Sequence, residues 1–347
     1  LVAGNYIGTD DAGEGDRGNG ANGIHIVDAP SNTIGGATDA HRNVISGNDG
    51  EGVRIDGALA TNNVLRRNFV GLDATGTLDL GNQLSGIYVR RAPANTVFEN
   101  VVSGNDGFAG IAICGNPGFC GGGDIGTQGN AAAGNVVRSN RVGTNAAGTA
   151  ALGNAGFGVS IDAASNTVVG GIEAGQLNVI AHNGSDGVVI FNPPATGNRI
   201  RGNSLHSNGG LGIDLHNDGV TPNDVPEEGP PDTDDGANGL QNFPVLASAV
   251  TGSGSTTISG SLSSTPNTTF TIDFYASAAC DASGHGEGAT HIGSQTVTTD
   301  GSGQATIDVT LGVGVTPGAA VTATAVDPAG NTSEFSACQT ATSPVIP

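Results

Sequence analysis

The sequence predicts an all-β protein: a right-handed parallel β-helix of about seven three-strand coils, followed by a β-sandwich. Three observations carry this. A pattern of Gly, apolar, any, apolar recurs at residues 23–26, 52–55, 86–89, 110–113, 158–161, 187–190 and 212–215. Two further apolar segments follow each of the first six copies. The second opens on Asn, most clearly at 63–68, 95–100, 135–140 and 198–203. From Phe243 the period changes to longer alternating stretches.

Each unit therefore holds three short strands with apolar residues at period 2. The units run 24–34 residues, except one of 48 that carries an insertion. Strands that pair with their equivalents one coil away, ~4.8 Å distant, stack their inward residues into one core that no single coil could bury. Asn tolerates left-handed bends, and its amide can bond the Asn of the next coil. Asn48, Asn68, Asn105, Asn140, Asn183 and Asn203 fit such ladders.

Composition excludes several alternatives. Sixty of 347 residues are Gly, roughly 17% against ~7% in ordinary domains. That cost rules out long helices, and the absence of a three-residue Gly period rules out collagen. No run of 18 apolar residues exists, so no membrane span is expected. All eleven bases are Arg, against 32 acids, for a net charge of −21. Such a chain repels phosphate backbones, so nucleic acid is not an expected partner.

Three loops leave the third strands at 10–22, 73–85 and 145–157 and should protrude on alternate coils. An insertion at 114–134 carries Cys114 and Cys120; Cys280 and Cys338 form a second local pair. Two such pairs imply disulfides and an oxidising compartment. The helix is expected to span 1–213 and an acidic segment 214–242. Asp214, Asp218, Asp224, Asp232, Asp234 and Asp235 in that segment are candidate Ca²⁺ ligands, since hard cations take clustered carboxylates on irregular loops. The same segment can instead be a solvated linker capping the last coil. Residues 243–347 show strands at 256–262, 269–275, 290–297, 304–311 and 320–326, an immunoglobulin- or fibronectin-like sandwich closed by 331–335.

No H-x-x-x-H, G-x-S-x-G or paired catalytic carboxylate motif is present. One constellation stands out. The outward column of the second strands reads Arg66, Phe98, Arg138, Val169, Arg201, flanked by Arg67, Arg90, Arg91, Arg141 and Arg199. Guanidinium groups fork onto carboxylates or sulfates and stack on an aromatic ring. Arg66, Arg67, Phe98, Arg138, Arg141, Arg199 and Arg201 are thus candidate contacts for an anionic polysaccharide. The same side chains can instead keep a flat face soluble by pairing with Asp56, Asp79 or Glu99.

The segments Asn43-Val44-Ile45-Ser46-Gly47-Asn48 and Asn32-Thr33-Ile34-Gly35-Gly36, with the run 148–154, resemble the degenerate repeat of bacterial secreted and surface right-handed parallel β-helix proteins; the C-terminal part resembles their immunoglobulin-like modules. Leu1 falls inside a coil, because Tyr6-Ile7-Gly8-Thr9 matches a third strand, so further coils are expected before it. The resemblance implies an extracellular location and leaves activity open, since such helices carry lyases, hydrolases and adhesins alike. The expected function is a non-catalytic surface or adhesion protein, its helix a rigid stalk with a glycan-contact face. The alternatives are a lyase or hydrolase acting on acidic glycans, and a filament subunit joined end to end through open coil edges.

Overall fold

The computed structural model describes residues 1–115, 131–224, 232 and 234–344. Three parallel sheets run the length of the N-terminal part. The first holds Ile24–Val27, Val53–Asp56, Ile87–Arg90, Ala109–Cys114, Phe157–Asp162, Val188–Phe191 and Ile213–Leu215. The second holds Thr33–Gly35, Val64–Arg66, Thr96–Phe98, Val136–Arg138, Val168–Gly170 and Arg199–Arg201. The third runs from Tyr6–Ile7 through Val44–Ile45, Phe69–Val70, Val101–Val102, Arg141–Val142 and Val179–Ala181 to Ser204–His206. Each strand pairs in parallel with its equivalent one coil away, which is the expected β-helix.

Register makes the interior. Ile55, Val89, Ile113, Ile161 and Ile190 form one inward column, Leu65, Val97, Val137, Val169 and Ile200 a second, and Ile45, Val70, Val102, Val142 and Ile180 a third; all belong to one buried cluster. Fully burying such a side chain contributes ~1.5–3 kcal/mol, and stacking lets every coil gain that on both of its faces. The recurring Gly before each first strand is a packing requirement. A Cβ on Gly52 would lie 2.6 Å from Val70 Cγ1 and 2.7 Å from the Gly86 carbonyl oxygen.

The bends are held by Asn, more extensively than expected. One ladder runs Asn5, Asn43, Asn68, Asn100, Asn140, Asn178, Asn203, each Nδ2 donating to the next Oδ1 at 2.8–3.1 Å. A second runs Asn19, Asn48, Asn82, Asn105, Asn154, Asn183, Asn208 at 2.8–2.9 Å. A third, at the remaining bend, links Asn32, Asn63 and Asn95 at 3.0 Å and passes on through the Asn95 amide to Asn135 Oδ1 at 2.8 Å.

The three loops do not simply protrude. Their tips stack on one another across the intervening coils, with the Ala74 amide donating to the Gly13 carbonyl and the Ala146 amide to the Gly76 carbonyl, both at 2.8 Å. The coils between them have no such loop and turn through Ser46-Gly47-Asn48 or Ser103-Gly104-Asn105. There the Ser46 hydroxyl reaches Leu72 O and the Ser103 hydroxyl reaches Thr144 O, both at 2.7 Å.

The C-terminal part is a mixed sandwich. Its order is Thr290–Thr298, Thr269–Ser277, Ala320–Val326, Gln339–Thr342, Val245–Gly252, Ser255–Ser263, Gln304–Leu311. Neighbours are antiparallel except Val245–Gly252 with Gln339–Thr342. Phe270, Ile272, Phe274, Ile258, Leu262 and Ile307 fill it. Cys280 and Cys338 are bridged, across a separation of 58 residues. Cys120 lies outside the described residues, and so does its expected bridge to Cys114.

The resemblance to bacterial surface sandwich modules places the final strand at residues 331–335. The strand is Gln339–Thr342 instead, and residues 331–335 close the last coil of the helix. Asn331 Oδ1 accepts the Gly197 amide at 2.6 Å, Thr332 Oγ1 the Ile200 amide at 2.9 Å, and Glu334 Oε1 the Leu215 amide at 2.9 Å. Tyr275 OH accepts the Gly202 amide at 3.0 Å, and Glu287 Oε1 takes the Asn208 Nδ2 at 2.7 Å as the last rung of a ladder. Asn238 Oδ1 accepts the Asn198 amide at 3.0 Å. Phe335 and Tyr275 join the helix core from below. The open C-terminal edge that filament growth requires is therefore occupied.

Asn140 Oδ1 accepts from the Asn100 amide and Nδ2, and its own Nδ2 donates to Val97 O and Asn178 Oδ1. Asn140→Ala leaves several of these buried groups unpaired, at ~1–3 kcal/mol apiece after relaxation. The expected loss is about 3 kcal/mol in a denaturant melt. A loss below about 0.5 kcal/mol would show that the ladder is incidental.

Candidate functional site

The outward faces of the sheets differ in what their columns carry. On the second sheet, Arg66, Phe98, Arg138 and Arg201 stand in register across successive coils. Val169 does not belong to that column: it pairs with Val137 and Ile200 in the core, and Gly170 takes the outward place. The bend residues Arg67 and Glu99 occupy equivalent places one coil apart, which brings them to 2.7 Å; Arg66 meets the same carboxylate at 2.9 Å. Arg67's hydrogen bond holds Glu99 below the usual carboxylate range, with burial opposing. The Arg66 guanidinium lies 5.1 Å from the Phe98 ring centroid. Arg138 Nε donates to Gly170 O at 3.0 Å.

The rest of the expected Arg set is dispersed. Arg141 is exposed on the third sheet and Arg199 at the sandwich boundary. Arg201 forks onto Asp273 of the sandwich at 2.5 and 2.7 Å. Asp273 is fully buried, and burial alone would raise its pKa. The hydrogen bonds from Arg201 and His291 outweigh that and hold it at about 2.

The acidic segment also divides. Asp214 is the outward residue of the last first-sheet strand; it accepts the Asn217 and Gly219 amides at 2.7 and 3.1 Å. Asp218 and Asp235 are exposed. Asp224, Asp232 and Asp234 gather. Asp232 is held by Gln241 Nε2 at 2.7 Å, the Asn242 amide at 3.1 Å and the Ser264 hydroxyl. Burial and the Asp224 carboxylate push Asp234 up to about 6.

The first sheet forms a concavity that its sequence did not single out. A groove of about 410 Å³ crosses its outer face, lined by Glu51, Tyr88, Phe108, Ser160, Asp162 and Phe191 among others. Residues at the end of the 73–85 loop and the start of the 114–134 insertion flank it, through Leu84, Ser85 and Cys114.

The groove is aromatic and polar together. Phe108 is 52% exposed and meets Phe157 and Phe191 edge-on at 5.1 and 6.0 Å. Burial pushes Asp162 up to about 6, with the Asn192 amide, donating at 2.9 Å, opposing. Beside Tyr88, Asp56 gathers Arg90, Arg54 and Arg91 at 3.0, 3.1 and 3.4 Å. Burial would raise Asp56, and the bonds from Arg54 and Arg90 outweigh it. The signal for the site was present in the alternation: outward positions Tyr88, Ala112, Val189 and Phe191 are apolar where a solvent face should be polar.

No known protein family matches the chain, and no curated protein matches it. Among solved structures it is similar to the full-length tailspike protein 2 of Escherichia coli O157:H7 bacteriophage CAB120, with 12% identity and a TM-score of 0.32. That alignment covers 96% of this chain and 54% of the other, so the chain spans about half the length of that protein. The function must therefore be read from the site itself.

Two buried carboxyls give the stability a direction in pH. Burial lifts Glu334 to about 8, against the Leu215 and Thr221 amides that bond it. Its folded-state pKa lies above the unfolded one, so its contribution is complete at about pH 4 and is lost as pH rises toward about 8. At about 1.4 kcal/mol per pH unit of displacement, that is on the order of 4–5 kcal/mol. Asp273, held low, acts oppositely and loses its contribution as pH falls through about 2. Melting midpoints are expected to peak near about pH 4–5 and fall by about pH 8.5, with Glu334→Gln flattening the alkaline limb. A midpoint that climbs between about pH 5 and 8.5 would contradict this.

Proposed function

We propose that the protein is an extracellular glycan-binding protein, a stiff β-helical stalk that seats a sugar chain in the groove of its first sheet. The observation that carries this is the groove itself, with ring faces of Tyr88, Phe108 and Phe191 beside the hydrogen-bonding groups of Glu51, Ser160 and Asp162. Ligand sites combine apolar walls with a few placed polar groups, and a sugar presents C–H faces to rings and hydroxyls to acceptors. The Cys280–Cys338 bridge supports an oxidising, extracellular setting. The parallel pairing of first and last strands supports reading the sandwich as an immunoglobulin-like module. The closed C-terminal end favours a stalk over a filament subunit.

A second reading has its own observation. A carboxyl lifted to about 6 in a partly apolar groove, as Asp162 is, suits proton donation to a glycosidic oxygen. A glycan array decides between the two. Binding that falls at least tenfold in Phe108→Ser, without new reducing ends, is the expected outcome. Release of reducing ends that Asp162→Asn abolishes would make the protein a hydrolase. Binding untouched by Phe108→Ser would remove the groove from the function.

Ca²⁺ at Asp224, Asp232 and Asp234 is also part of this reading. Burial and then the neighbouring carboxylates push Asp232 and Asp234 up, and a hard cation would relieve that crowding. Added Ca²⁺ is expected to raise the melting midpoint by several degrees over EDTA-treated protein. An identical midpoint would set the site aside.

A further inference from the structure

Building on the glycan-binding reading, we infer that the groove takes a neutral glycan, and that acidic polysaccharides are excluded from it. This replaces the anionic partner that the Arg-rich column of the second sheet invites.

Every base in the chain can be accounted for. All eleven Arg and all seven His lie among the described residues, so no cation remains elsewhere to line the groove. Among the described residues the groove wall contains two carboxylates, Glu51 and Asp162, and neither Arg nor His. Three guanidinium groups stand beside it, and each is engaged. Arg54, Arg90 and Arg91 all converge on Asp56, and Arg54 also lies 3.5 Å from Glu51. Among the described residues, those three positive charges stand near three negative ones in Asp56, Glu51 and Asp162. Toward the C-terminal end the balance turns negative, where Asp186 and Asp214 are both buried near the same face. Two His stand at the margins. His25 continues the Arg54–Tyr88 column, and His216 precedes Asn217 at the far end.

Geometry multiplies the charge effect. The groove crosses the first-sheet strands that begin at Val53, Ile87, Ala109, Phe157 and Val188. Four steps of ~4.8 Å make it about 19 Å long. A uronate polymer would lay several carboxylates along that length, each desolvated against a wall whose described residues include no Arg or His, on a chain of net charge −21. A neutral chain meets no such penalty. Its hydroxyls donate to Glu51, Asp162 and the Ser160 oxygen, and its C–H faces cover Phe108 and Tyr88. Arg54 lies 5.3 Å from the Tyr88 ring centroid but is paired with Asp56 and Glu51; more exposed Arg side chains stand on the other sheets. Arg138 faces outward from the second sheet and Arg141 from the third, a bend away from the groove.

The test measures binding at pH 8 of neutral hexasaccharides (gluco-, manno-, galacto- and xylo-configured) and of oligogalacturonate and oligoalginate of the same length, at 20 and 500 mM NaCl. The proteins are wild type, Phe108→Ser, Arg138→Gln and Glu51→Gln/Asp162→Asn, each checked for an unchanged melt. At least one neutral probe is expected to bind at least tenfold more tightly than either uronate, with less than twofold salt dependence, a tenfold loss in Phe108→Ser and no loss in Arg138→Gln. The double variant should narrow the gap between neutral and acidic probes. Uronate binding that is stronger than neutral binding and lost in Phe108→Ser overturns the inference and leaves the groove as the site. Uronate binding lost in Arg138→Gln but kept in Phe108→Ser overturns the groove reading as well, and so does the absence of binding by every probe.

Discussion

Vertical repetition is the constraint on which the rest depends: whatever residue a coil places at a position must be compatible with the same position ~4.8 Å above and below. Branched aliphatics satisfy this inside, because like stacks on like without a polar partner. Asn satisfies it at the bends for a different reason. Its amide is both donor and acceptor, so a column of identical side chains is self-satisfying in a way that Asp or Lys columns are not. The Arg67–Glu99 pair is the local exception, where equivalent bend positions carry opposite charges and neutralise each other across the coil gap.

A stack with unpaired ends exposes strand edges, and here the end at residues 197–215 is met by side chains that mimic one more coil. Glu287 supplies the next ladder acceptor, Thr332 and Glu334 accept strand amides, and Phe335 extends the inward column. These residues come from separated loops of the sandwich, so its fold must be complete before the cap exists. Arg201 with the buried Asp273 fixes the angle of approach by a two-pronged bond. Breaking such a pair by removing one partner typically costs about 3–5 kcal/mol, so the junction behaves as part of both cores.

The sequence made the periodic part of this legible and hid the parts built by convergence. Coil number, inward columns and two of the ladders follow from spacing alone, because repetition writes the three-dimensional neighbour into the one-dimensional period. Val169 is displaced by one residue from its expected place, since Val168-Val169-Gly170 offers two apolar residues and only the pairing with Val137 and Ile200 settles which faces in. The cap reads as a strand because residues 331–335 resemble the last strand of bacterial surface sandwich modules; several of their partners lie more than a hundred residues away. The groove escaped because its walls come from different coils and from loops of different length. No local motif joins Tyr88 to Asp162, and only register does.

The same constraint explains why a site arises on one sheet and not on the others. A β-helix face is flat, and a flat face offers a ligand no walls. On the second sheet the strands are three residues long and turn directly into tight Asn bends. On the third, the loops spend their length packing against each other. Beside the first sheet, side chains of long loops and bends, Leu84 and Phe108 among them, line a groove together with Tyr88 and Ser160 of the strands. Concavity, not charge, is therefore the feature on which the proposed glycan site rests, and in that proposal the carboxylates that came with the concavity choose among ligands.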